Sequence, residues 1–193
     1  TGPGNMMIDA VITAATNGAE RFDRDGAAAA RGKVCEALLQ TLTQDAYYTL
    51  PLPKSTGREH FGEQYTAKLL SYGQEHGLSF DDLAATATEL TAWSIADAYT
   101  RYVLPQYRAT ELIAGGGGSY NPTLLAALTR RLGAHGVNVR TQEDLGLSSD
   151  AKEAVAFALL GDRFLAGLPN VLPTVTGAQH AAVMGKLSLP SAR

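Results

Sequence analysis

The chain has 193 residues, 45% of them hydrophobic, enough for one sizeable domain or two small ones. Lys and Arg number 16 against 19 Asp and Glu, so the net charge is -3 and nothing electrostatic favours nucleic acid or an anionic membrane surface as a partner. A single cysteine, Cys35, excludes an intrachain disulfide and a multi-cysteine metal site, and no apolar run reaches the length of a membrane span.

The chain opens on Thr1-Gly2-Pro3-Gly4-Asn5, without an initiator methionine or a signal peptide, inside what reads as a loop. The expectation is a fragment or processed chain in the reducing cytoplasm. Asn5 predicts the cap of a helix from Met6 to about Thr16, closed by Asn17-Gly18. Asp25 precedes a second helix over roughly Gly26 to Leu42, striped by Val34, Leu38, Leu39 and Leu42, with Cys35 inside it as a small buried hydrophobe. Pro51 and Pro53 forbid a helix before Lys54. A third helix is expected over about Glu59 to Tyr72, with Gly73 and Gly77 at its exit. Ser79 caps the clearest helix, which carries Asp81 and Asp82 in its first turn and ends before Pro105. At roughly 24 residues it would reach about 36 Å, long enough for a spine or a dimer contact. Trp93 on it reads as core or interface.

Glu111 to Ala114 reads as a strand entering four glycines, Gly115 to Gly118, and Asn121-Pro122 caps a helix to Leu132. Val137 to Val139 predicts a second strand, parallel to the first. Asp150 and Glu153 have capping-box spacing at the start of a helix to about Leu165. Gly167 to Gly177 reads as a loop and Lys186 to Leu189 as a last short strand. The fold class is α/β, helix-rich, in a single domain over 1–193. Two or three strands make a thin sheet, so part of the sheet is expected elsewhere.

The chemistry-bearing residues are few. His60, His76, His135 and His180 never reach ligand spacing, so no metal site is expected from this chain. The four glycines allow a nucleotide to approach bare backbone beside a helix N-terminus, and they equally fit a strand–turn–helix corner that binds nothing. They are not a P-loop, since no Gly-Lys-Ser/Thr follows, and Tyr120 stands where a dinucleotide fingerprint needs Gly or Ala. Thr1 to Asn5 repeats the same logic of a glycine turn feeding a helix. Lys54, Ser55, Thr56 and Arg58 offer two cations and two hydroxyls for a phosphate or sugar, or form a solvated loop.

Taken in order, Thr1-Gly2-Pro3-Gly4-Asn5-Met6, Pro53-Lys54-Ser55-Thr56-Gly57-Arg58-Glu59, Thr88-Glu89-Leu90-Thr91-Ala92, Gly116-Gly117-Gly118 with Asn121-Pro122-Thr123-Leu124, Asp150-Ala151-Lys152-Glu153-Ala154, and Leu168-Pro169-Asn170 with Val175-Thr176-Gly177-Ala178 form a set. This set resembles the C-terminal half of the anhydro-N-acetylmuramic acid kinases. The resemblance implies the nucleotide-side domain of an actin-like ATPase (ribonuclease H-like) fold, in the superfamily of sugar kinases, heat-shock ATPases and actin. It implies an enzyme that uses ATP, Mg²⁺ and water to convert anhydro-N-acetylmuramic acid to N-acetylmuramic acid 6-phosphate in cell-wall recycling.

By the same resemblance, Gly116, Gly117, Gly118 and Asn121 would line the adenosine, and Thr1, Gly2, Gly4 and Asn5 would form the second phosphate loop. Glu153 would lie near the cleft as the candidate catalytic residue, and Lys54 to Glu59 would be a family signature. The family's first phosphate loop is absent, and its water-activating aspartate would fall one residue before Thr1. The expected partners are therefore a small sugar substrate, the N-terminal half of the same enzyme and a second copy in a homodimer. The competing expectation is a non-catalytic nucleotide-binding or dimerisation module.

Overall fold

The computed structural model describes residues 1–189, so the single domain expected over 1–193 runs past the described part. The chain forms two compact units, Thr1–Gly146 and a second beginning at Leu147.

The first unit is built around the helix that Ser79 starts. That helix, α6 (Phe80–Ala98), follows five shorter helices: α1 (Met6–Ala15), α2 (Ala27–Arg31), α3 (Glu36–Thr43), α4 (Arg58–Phe61) and α5 (Glu63–Glu75). The expected cap is present in full: the Asp82 N–H donates to Ser79 Oγ at 3.1 Å, and the Ser79 N–H to Asp82 Oδ2 at 3.1 Å. Leu83, Ala84, Ala87, Leu90 and Ala92 are at most 2% exposed, so both sides of α6 are covered. One core joins it to Met7, Ile8, Val11, Leu38, Phe61 and Leu69; another joins its C-terminal half to Leu124, Leu128, Leu132 and Val137. The long helix is thus the spine of this unit. It ends in one π-turn over Tyr99–Val103, where the Leu104 N–H reaches Tyr99 O at 3.0 Å.

The second helix differs from expectation. It breaks after Arg31 and restarts at Glu36. A Cβ on Gly32 would overlap the Asp81 backbone, and the next N–H groups leave the helix for side chains of α6: Lys33 donates to Asp82 Oδ1 at 2.7 Å and Cys35 to Thr86 Oγ1 at 2.9 Å. Tertiary hydrogen bonds outcompete propagation of the helix. The third expected helix also divides, at Gly62, whose backbone packs against the Arg58 carbonyl.

Then β1 (Glu111–Ala114), α7 (Pro122–Gly133) and β2 (Asn138–Thr141) make the expected parallel pair, with Glu111 opposite Asn138 and Ala114 opposite Thr141. The result is helix-rich α/β with a two-stranded parallel sheet among the described residues. One face of this sheet stays open at Ile113, which is 40% exposed.

In the second unit α8 (Lys152–Leu165) and α9 (Pro173–Thr176) are joined by a loop organised on Asn170. Asn170 Nδ2 donates to Leu160 O at 3.2 Å and Met184 O at 2.8 Å, and its Oδ1 accepts the Met184 N–H at 2.6 Å. The strand expected over 186–189 is absent; those residues make no ladder. The capping box is absent too: α8 starts one residue late for it, with Ala151 at the cap and no side-chain bond.

Candidate functional site

Two of the glycine segments singled out in the sequence meet in space, and α6 is the reason. Thr91 Oγ1, buried on α6, donates to the Gly4 carbonyl at 2.7 Å. Three residues on, Ser94 leaves no room for a side chain at Gly2, where a Cβ would come 2.6 Å from Ser94 Oγ. Pro3 between them is fully buried. The turn is closed by the Met6 N–H on Pro3 O at 3.2 Å, with Gly4 in the left-handed region at φ 57°. The N–H groups of Gly4 and Asn5 then have no acceptor among the described residues, and they stand at the N-terminus of α1 with its positive dipole end.

Asn5 holds the N-cap position but not the expected role, since its side chain makes no capping bond. It lies instead against the second glycine segment. A Cβ on Gly118 would sit 3.1 Å from Asn5 Oδ1, and one on Gly117 3.8 Å from Nδ2. The approach is tight at Gly118 and ordinary van der Waals contact at Gly117. Gly116 is required by its φ of 94°. Asn121 does cap α7 as expected, accepting the Leu124 N–H at 3.0 Å. Its side chain also abuts Gly26, and Thr123 Oγ1 donates to Gly26 O at 2.9 Å.

That contact brings in a segment the sequence reading passed over. Asp23, Arg24 and Asp25 line a pocket of about 380 Å³ together with Asn5, Gly117 and Asn121. Both Asp23 oxygens accept N–H groups at the start of α2, from Ala28 at 2.8 Å and Ala29 at 3.0 Å. Asp25 has φ 55°, a conformation that Asp tolerates better than most residues. An Asp-x-Asp-Gly run between two helical patterns was the available signal.

The Lys54–Arg58 segment divides. Lys54 Nζ donates to Tyr47 O at 3.0 Å and Tyr48 O at 2.9 Å, and stands 4.7 Å from the Tyr47 ring centroid. It approaches the first turn from the Thr1 side. Thr56 Oγ1 is buried without a partner among the described residues, and Ser55 is exposed. Arg58 faces elsewhere, into a larger apolar pocket of about 990 Å³ that it shares with Asp9, Phe61 and Leu70. Burial pushes the Asp9 carboxyl up to about 6, against the opposing pull of Arg58. Glu153 lies in the second unit, exposed on the first turn of α8. No group of three or more His, Cys, Asp or Glu suited to a metal exists among the described residues, and no described helix is long and apolar enough to cross a membrane.

The family model described as anhydro-N-acetylmuramic acid kinase matches residues 1–190. The chain belongs to the anhydro-N-acetylmuramic acid kinase family. It is 46% identical over 189 residues to the protein of that name from Caldanaerobacter subterraneus subsp. tengcongensis, covering 98% of this chain and 47% of that one. It is 44% identical over 189 residues to the one from Streptomyces avermitilis (97% and 47%), and 39% identical over 190 residues to one from Bacillus cereus strain AH820 (98% and 49%). The chain spans about half the length of the curated relatives it matches. The six motif blocks read in the sequence therefore did identify the family, and it is a family of kinases.

Proposed function

We propose that this chain is the nucleotide-side part of an ATP-dependent anhydro-sugar kinase of actin-like fold, acting in the cytoplasm. The observation that carries the reading is the junction at Asn5, where a turn whose Gly4 and Asn5 N–H groups have no acceptor among the described residues lies against a glycine segment packed tightly on Asn5 at Gly118. Unpaired N–H groups at a helix N-terminus suit phosphate oxygens. The glycine segment gives a flat wall for the base and ribose, and Asp25 offers an acceptor for hydroxyls on the adjoining pocket wall. Thr1, Gly2, Gly4 and Asn5 thus take the phosphates, and Gly116, Gly117, Gly118 and Asn121 take the adenosine. Lys54 acts through the Thr1 end of the turn.

Mg²⁺ would be held mainly by the nucleotide phosphates, in keeping with its habit of retaining water and using one or two carboxylates. In the full-length protein, water adds to C1 of the anhydro sugar, the C1–O6 bond breaks, and O6 takes the γ-phosphoryl group while ADP leaves. Positioning and charge stabilisation carry phosphoryl transfer, and a carboxylate must activate the water. Glu153 is the candidate this chain offers. The enzyme is proposed to work as a homodimer, which light scattering checks.

The test is to incubate the full-length protein with ATP, Mg²⁺ and anhydro-N-acetylmuramic acid. Mass spectrometry should find N-acetylmuramic acid 6-phosphate in step with ADP. No turnover, with ADP still bound in calorimetry, would leave a nucleotide-binding module in its place.

A further inference from the structure

We infer that Thr91 is a positioning residue that aims the backbone of the Gly4–Asn5 peptide at the nucleotide phosphates, an inference that rests on the nucleotide reading above. The geometry is specific. Thr91 Oγ1 sits 2.7 Å from Gly4 O and 3.1 Å from Ala87 O of its own helix. A hydroxyl has one proton, and the shorter contact goes to the turn. Back-bonding to the preceding helical turn is the ordinary resting place of a helical threonine, and Thr91 adds to it a shorter contact with Gly4.

A trans peptide sets its C=O and N–H on opposite sides. Fixing Gly4 O toward α6 therefore fixes the Asn5 N–H away from α6, on the side where it has no acceptor among the described residues. Gly4 at φ 57° would otherwise let this peptide rotate cheaply. Ser94 completes the seat. It donates to Thr91 O at 2.9 Å and blocks any side chain at Gly2. Two of the buried polar residues of α6, at 1% exposure each, thus have a reason to be there.

The inference predicts a pattern that loss of fold would not give. In the full-length protein, Thr91→Val keeps the shape of the side chain and removes the donor. ADP affinity should fall about tenfold by calorimetry, the scale of one well-made hydrogen bond to a positioned group. Adenosine affinity should change less than about twofold, because the peptide addresses phosphates alone. KM for ATP should rise with it, and KM for the sugar should not. Thr91→Ser restores the donor and should recover ADP binding to within about threefold. Equal losses for ADP and adenosine, or a Thr91→Ser as weak as Thr91→Val, would overturn the inference in favour of a packing role. Unchanged ADP binding in a folded Thr91→Val would overturn it alone. Wild-type protein that binds no ADP would overturn it together with the nucleotide reading. Ser94→Ala, which leaves Thr91 in place, gives a second arm if Thr91→Val does not fold, and it should also weaken ADP more than adenosine; an equal effect on both would overturn the inference.

Discussion

Gly26 offers the sharpest check on how the pocket wall is assembled. It holds φ 63°, and a methyl group there would run into Asn121 Oδ1 and come 2.8 Å from Thr123 Oγ1. Three costs follow in Gly26→Ala. The left-handed backbone costs an L-residue about 1 kcal/mol. Displacing Asn121 removes the cap on Leu124 N at 3.0 Å, another ~1 kcal/mol. Moving Thr123 loses its 2.9 Å bond to Gly26 O, about 1 kcal/mol more. Gly26→Ala should thus lose about 3 kcal/mol, summing these costs, and Asn121→Ala about 1. In the double variant the cap is already gone, so the loss should stay near 3 kcal/mol rather than reach 4, a coupling of about 1 kcal/mol. Urea unfolding with unchanged m-values measures all four corners of the cycle. Additive losses, or a Gly26→Ala that loses under ~1 kcal/mol, would refute the claim that Asn121 and the 24–26 turn support one another.

Other consequences are simpler. Glu89, 8% exposed on α6, binds Arg130 at 2.5 Å and Arg131 at 2.6 Å on α7. Glu89→Gln should cost about 2 kcal/mol, below the full value for a buried pair because the Arg130 side chain is 64% exposed and rehydrates. A loss under ~0.5 kcal/mol in the same unfolding assay would mean that the pair is merely a surface contact. Because burial raises Asp9 to about 6 from 3.8, the folded chain keeps a proton that the unfolded chain releases over that window. Asp9 therefore lowers stability as pH rises from about 4 through 6, and Asp9→Asn should raise Tm at pH 7.5 and not at pH 4. A Tm difference independent of pH would contradict the shift. Tyr48 is 2% exposed and its hydroxyl has no partner among the described residues. Tyr48→Phe should be neutral or gain up to about 1 kcal/mol, since it removes an unpaid desolvation; a clear loss in thermal denaturation would reveal a partner for that hydroxyl.

Local chemistry written in the sequence survived folding wherever the responsible groups were neighbours in the chain. The Ser79–Asp82 box, the Asn121 cap before Pro122, the Asn17-Gly18 stop and the parallel β1–α7–β2 unit all depend on contacts within a few residues or on one short crossover. The ordered motif blocks likewise carry the family in the sequence itself.

What the sequence alone left open were competitions settled by distant groups. An alanine-rich stretch was a good helix by propensity, yet Gly32 had to fit the Asp81 backbone, and Asp82 and Thr86 captured the next N–H groups. Asn5 had the right type and place to cap α1, and the glycine segment more than a hundred residues later took its side chain instead. Lys54 reads in the sequence as a phosphate or sugar contact or as part of a solvated loop, and in the fold it is an anchor on two carbonyls. Thr91 was one letter in a motif, and only packing of the first turn on α6 gave its hydroxyl a carbonyl to hold. Capping and periodicity act over one or two turns of chain and so can be read along it. Which donor meets which acceptor across 87 residues depends on the approach of two backbones, and that is fixed only when small side chains and buried apolar faces bring the elements together.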